Sequence, residues 1–114
     1  MAPPRRNLSE YQGVWLLAMF DLPVDSKKAR KAYSRFRKAL LKQGFMMMQF
    51  SVYARYFASE ESSATIRKRI EAILPSQGHV RLLLITDRQF GKMEVFDGKT
   101  RACPEEAPKQ LLLF

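Results

Sequence analysis

Two kinds of segment alternate along this chain. Some are short, continuous apolar or aromatic runs; in others the apolar residues recur at helical spacing. Val14 to Phe20 (V-W-L-L-A-M-F) is a run of the first kind. Its branched and aromatic members, and Pro23 just beyond it, predict a central strand buried on both faces. Ala29, Ala32, Tyr33, Phe36, Ala39 and Leu40 then follow the i, i+3, i+4 rule and predict a helix over 26–43. Asp25 and Ser26 suit its N-cap, and Gly44 stands where its C-cap belongs.

Phe45 to Phe57 (F-M-M-M-Q-F-S-V-Y-A-R-Y-F) has no helical stripe. It is long for one strand, so it predicts two, bent near Gln49 to Ser51. Ser59-Glu60-Glu61-Ser62 opens a second helix with acids at its positive end. Ile66, Ile70, Ile73 and Leu74 form its expected buried stripe, and Pro75 ends it. Val80 to Thr86 (V-R-L-L-L-I-T) predicts a further strand, and Lys92 to Phe96 a short extra one before the Asp97-Gly98 turn.

Strand, helix, strand, strand, helix, strand is the split βαβ order, so the fold class expected is α+β, ferredoxin-like βαββαβ with a short extra strand and a tail. Three regions follow: a flexible basic arm over 1–11, the ferredoxin-like domain over 12–97, and a C-terminal tail over 98–114 with an apolar end. Two helices cover one face of such a sheet. The other face, also apolar, predicts a homodimer packed sheet to sheet.

Charge sharpens this picture. The 114 residues carry 20 Lys and Arg against 11 Asp and Glu, a formal charge of +9. Such a surface attracts polyanions, nucleic acid before an anionic membrane. No apolar run has the length of a membrane span and no secretory h-region follows Met1, so a cytoplasmic protein with no membrane partner is expected. The single cysteine, Cys103, makes no internal disulfide, which agrees with a reducing compartment.

The first helix concentrates the charge. Lys27, Lys28, Arg30, Lys31, Arg35, Arg37, Lys38 and Lys42 have no acid among them. An ordinary surface helix mixes signs, because opposite charges at i, i+4 attract and like charges repel. An unmixed set points to phosphates, and Lys27, Lys28, Lys31, Arg35, Arg37, Lys38 and Lys42 are the expected nucleic-acid contacts. Phe45, Phe50, Tyr53, Tyr56 and Phe57 have the chemistry to stack on bases but are read as core or interface. Met46-Met47-Met48 is read as adaptable interface packing.

Catalytic residue types are scarce. There is no P-loop, no GxGxxG and no Cys/His cluster, and the lone histidine, His79, is expected at the surface beside a turn glycine. Among the acids, Asp25 caps a helix, Asp87 follows a strand and Asp97 lies in a turn. Asp21, at the end of the first strand, has no such local job. One carboxylate is a poor cation site, but a two-fold axis could unite two copies of Asp21 around a divalent cation acting on a phosphodiester.

Residues 18–57 (AMFDLPVDSKKARKAYSRFRKALLKQGFMMMQFSVYARYF) resemble the second CRISPR-associated protein family, most closely members from type II systems. The resemblance rests on the F-D-x-P turn (Phe20, Asp21, Pro23), the basic helix from Arg30 to Leu41, Gly44-Phe45 and Q-F-S-V-Y (Gln49 to Tyr53). It runs on more loosely through Thr86 to Phe90 and the apolar tail. It implies a ferredoxin-like homodimer acting as a magnesium-dependent endonuclease, with manganese as an alternative ion, on duplex DNA or single-stranded RNA. It further implies that Asp21 is the metal ligand and catalytic residue, and that the dimer bridges CRISPR integrase subunits during spacer acquisition. The tail residues Leu111, Leu112, Leu113 and Phe114 would contact that partner. Two rivals are a purely architectural duplex-DNA-binding protein and a toxin-like ribonuclease of the same small fold. The arm, Met1 to Tyr11, is longer than the family's and carries no assigned role.

Overall fold

A computed structural model describes residues 13–108. The expected arm lies outside that range, as do Leu111 to Phe114. The elements run β1 (Val14–Asp21), α1 (Lys27–Lys42), β2 (Met46–Gln49), β3 (Val52–Phe57), α2 (Glu60–Ala72), β4 (His79–Thr86), α3 (Asp87–Gly91), β5 (Val95–Asp97) and β6 (Thr100–Ala102). The first four strands form one sheet in the order β2-β3-β1-β4, with β1–β3, β1–β4 and β2–β3 all antiparallel. Each βαβ half therefore interleaves with the other, which is the ferredoxin-like arrangement.

Local chemistry sets the boundaries. Ser26 alone caps α1, its Oγ accepting from the Ala29 N–H at 3.0 Å, so Asp25 is not the cap expected of it. Gly44 follows the C-cap, Gln43, at φ +87°, a conformation in which glycine has no Cβ penalty. Ser59 caps α2 in the same way as Ser26 caps α1. The β2–β3 bend falls at Phe50 and Ser51, where Ser51 takes a left-handed φ of +65°.

The period of β1 sorts its residues between two cores. Val14, Leu16, Ala18 and Phe20 face the helices and pack with Phe36, Leu40, Tyr53, Phe57, Ile66 and Ile70. Phe20 sits edge-on to Phe36 at 5.2 Å between ring centroids. The stripe of α2 ends earlier than its sequence suggests. Ile73 and Leu74 are exposed, because α2 stops at Ala72 and the chain has already turned away from the sheet.

Trp15 and Leu17 face the opposite side, with Ala54 and Tyr56. This side is not left wholly to a second copy, as the strand pattern suggested. Helix α3, unforeseen in the sequence, folds back and lays Phe90 on Trp15 at 4.0 Å and 8° between planes. Met93 and Ala107 join the same cluster. The indole N–H of Trp15 donates to Asp87 Oδ1 at 2.7 Å, giving Asp87 a structural role. Burial, and then the charge of Asp87, push the Tyr56 phenol above its ordinary 10.0. What stays open on this side is the far end of the sheet, where Leu83 and Arg81 pair across from Leu17 and Met19. Beyond α3, β5 and β6 form a hairpin turning at Gly98, and it straddles the boundary expected at residue 97.

Candidate functional site

Asp21 closes β1 with its side chain exposed, opposite His79 in the β4 register. Its backbone is held from both sides. Phe20 N–H donates to the Ser51 carbonyl at 3.0 Å, tying β1 to the β2–β3 bend. Across the other edge, Gly78 has φ +89°, and a Cβ there would stand 2.7 Å from the Asp21 carbonyl oxygen. Only glycine permits that approach. Leu22 is buried just beyond, and Pro23 ends the ladder. A rigid strand end thus presents one carboxylate to solvent.

Among the described residues that carboxylate has no cationic neighbour within ion-pair distance, and the one ion pair is Arg101–Glu94, at 3.9 Å. Nor do the described residues contain a group of three His, Cys, Asp or Glu side chains placed to hold a metal ion. Magnesium keeps most of its waters and takes one or two protein carboxylates. At this strand end Asp21 is an exposed carboxylate of the kind such an ion takes.

Helix α1 begins after the turn that follows Asp21. Lys27, Lys28, Arg30, Lys31, Arg35, Lys38 and Lys42 are exposed along it, while Arg37 is half-buried. Its first turn holds no acid. Arg30 Nη1 donates to the Val24 carbonyl at 3.2 Å, and none of the other seven pairs with a carboxylate among the described residues. Of the seven cations expected from sequence to contact nucleic acid, six are therefore exposed and Arg37 is half-buried.

Two further features escaped the sequence. Past the C-terminal end of α1, Arg55 Nη1 donates to the Gln43 carbonyl at 2.7 Å and Arg69 Nη1 to Gln43 Oε1 at 3.4 Å. Arg55 also lies over the Phe57 ring, 4.5 Å from its centroid. With Lys42 these arginines line an open cavity of about 630 Å³, extending the positive surface. Arg55 was hidden because a lone cation in an aromatic strand reads as a face residue. The second feature is Phe50. Of the five aromatics read as core or interface, Phe45, Tyr53, Tyr56 and Phe57 are buried, but Phe50 is 78% exposed. Of the methionines, Met46 and Met47 are exposed and Met48 packs on the Trp15 cluster.

Among the described residues, no helix is long and apolar enough to cross a membrane. The sequence model of the family "CRISPR associated protein Cas2" matches residues 14–93. A relative from Parvibaculum lavamentivorans, named "CRISPR-associated endoribonuclease Cas2", is 55% identical over 89% of this chain and 100% of its own length. Proteins of the same name from Flavobacterium psychrophilum and Paracidovorax avenae are 46% and 42% identical, over 95% and 94% of this chain and 94% and 99% of theirs. The matched span contains the exposed Asp21, the basic α1 and the sheet that carries them, and this chain belongs to the Cas2 family of CRISPR-associated proteins.

Proposed function

We propose that this chain is a nucleic-acid-binding endonuclease subunit of CRISPR adaptation, working as a homodimer with Asp21 as its catalytic and metal-binding carboxylate. The observation that carries this is an exposed Asp21, without an ion-pair partner among the described residues, on a strand end beside a helix of unmixed positive charge. The names of the relatives, endoribonucleases, support hydrolysis of a phosphodiester. The cations of α1 bind phosphates, and binding there sets a backbone near the strand end. Asp21 from each of two copies supplies the donors for magnesium or manganese. When bound, such an ion supplies charge neutralisation and a more acidic water. Ser51 holds the neighbouring Phe20 N–H and Gly78 packs against the Asp21 carbonyl, so the strand end that carries the carboxylate is in place before substrate arrives. The same dimer bridges integrase subunits during spacer acquisition, with Leu111 to Phe114 as the contact.

The unmixed positive charge of α1 also favours a second reading, an architectural duplex-DNA binder without hydrolysis. Cleavage of single-stranded RNA and duplex DNA, with magnesium or manganese and with chelator, separates the two. Metal-dependent cleavage that Asp21→Ala abolishes, with binding kept, supports the nuclease. Equal cleavage by parent and variant removes Asp21 from the role. No cleavage by either, with spacer integration intact in both, leaves the architectural role.

A further inference from the structure

Phe50 is the most exposed large apolar side chain among the described residues, at 78%, yet its ring is not loose. It stacks on Tyr33 of α1 at 5.9 Å between centroids and 21° between planes. Tyr33 is itself fixed. Its hydroxyl is 2.9 Å from Ser51 Oγ, and its ring sits edge-on to the buried Phe20 at 5.7 Å. Ser51 is the left-handed residue of the bend, and its carbonyl holds Phe20 N–H. The stack thus rises from the core through Phe20 and Tyr33 to Phe50, whose outer face meets solvent.

Exposing a phenyl ring to water is unfavourable in proportion to its apolar surface. A bare hydrophobic patch for a protein partner would put other apolar side chains around it. The helix that carries the backing ring is cationic instead. Arg30, which spends one Nη on the Val24 carbonyl, and the half-buried Arg37 flank Tyr33 on the same helix at i−3 and i+4, and the β1 end with Asp21 lies one residue beyond the Phe20–Ser51 hydrogen bond. An aromatic platform next to paired cations is the arrangement that holds an unpaired nucleotide, the ring taking the base and the arginines its phosphates.

Resting on the nucleic-acid reading above, we infer that Phe50, backed by Tyr33, stacks an unpaired base of the bound nucleic acid and so selects single-stranded or frayed segments for the Asp21 end of the sheet. A blunt duplex, with its bases already stacked on one another, has no face to offer the ring. It is held by phosphates alone.

The test uses the full chain and two probes of matched length: a single-stranded oligonucleotide carrying 2-aminopurine and a blunt duplex. The parent should quench the 2-aminopurine on binding. Phe50→Ala should lose the quench and weaken single-strand binding about tenfold or more, with duplex binding unchanged. Phe50→Tyr, which keeps a ring, should behave as the parent. An unchanged single-strand affinity in Phe50→Ala, or equal loss on both probes, overturns the inference while salt-dependent binding by the parent leaves the wider function standing. Dissociation of a parent dimer by Phe50→Ala in analytical ultracentrifugation also overturns it, since the ring then joins one copy to another. If the parent binds neither probe, the nucleic-acid reading and this inference fall together.

Discussion

Trp15 in the first strand and Asp87 at the start of α3 are joined by a 2.7 Å hydrogen bond across 72 residues of sequence. The bond pins a five-residue helix, too short to be stable alone, to the centre of the sheet. Thr86 and Gln89 add a reciprocal capping box, and Phe90 fills the space over the indole. Asp87→Ala leaves a buried indole N–H without an acceptor and should cost about 1–3 kcal/mol. Asp87→Asn keeps an acceptor and should cost less. Trp15 is the only tryptophan, so urea unfolding followed by its fluorescence measures both variants.

Tyr56 gives the fold an alkaline limit. Its phenol is raised above 10.0 in the folded chain, by burial and then by Asp87. The folded state therefore holds the proton over a range where the unfolded chain has released it. The stabilisation is complete below the unfolded value and is lost as pH rises through the folded one. Urea midpoints measured from about pH 8 to about pH 11 should fall at the alkaline end, and Tyr56→Phe should flatten that fall.

The exposed cations of α1 should govern salt dependence. Lys31, Arg35 and Lys38 project from the exposed side, whereas Arg37 is half-buried and a poorer probe. Replacing those three with Ala should lower the slope of log affinity for duplex DNA against log salt by up to about 0.9 for each phosphate that is no longer neutralised. Filter binding or fluorescence anisotropy across a salt series reads the slope. An unchanged slope would assign these cations to solvent alone.

Gly78→Ala should disturb the site without touching a carboxylate. The new Cβ meets the Asp21 carbonyl oxygen at 2.7 Å and Leu22 Cδ2 at 2.7 Å, on a backbone with φ +89°. Left-handed strain alone costs about 1–2 kcal/mol. Thermal unfolding should register the loss. If Asp21 is catalytic, cleavage should fall further than the drop in folded fraction explains.

Dimerisation should depend on the open end of the second sheet face. Leu83 is 46% exposed there, beside Arg81 and opposite Leu17 and Met19. Leu83→Asp should shift the chain toward monomer in analytical ultracentrifugation and, with it, abolish any cleavage that needs two copies of Asp21. A parent chain that stays monomeric at micromolar concentration would rule out the shared-carboxylate site.

Much of this was written in local pattern. The run from Val14 to Phe20, the stripe from Ala29 to Leu40 and the serines before each long helix determine β1, α1 and α2, because strand burial, helical periodicity and capping act over a few residues. The F-D-x-P turn and the unmixed charge of α1 were likewise visible, and they marked Asp21 and the basic helix before any fold was built.

Tertiary structure decided the rest, for reasons that sequence spacing cannot encode. Helix α3 exists because Trp15 and Phe90, far apart in the chain, stack on one another, and five residues carry no period to betray it. Ile73 and Leu74 fit a helical stripe but emerge into solvent where the helix ends. Phe50 reads like its buried neighbours Phe45 and Tyr53, yet a single left-handed residue at Ser51 and a ring on α1 leave it facing water. Alternation gives a side chain's face; only the assembled sheet says whether anything covers it.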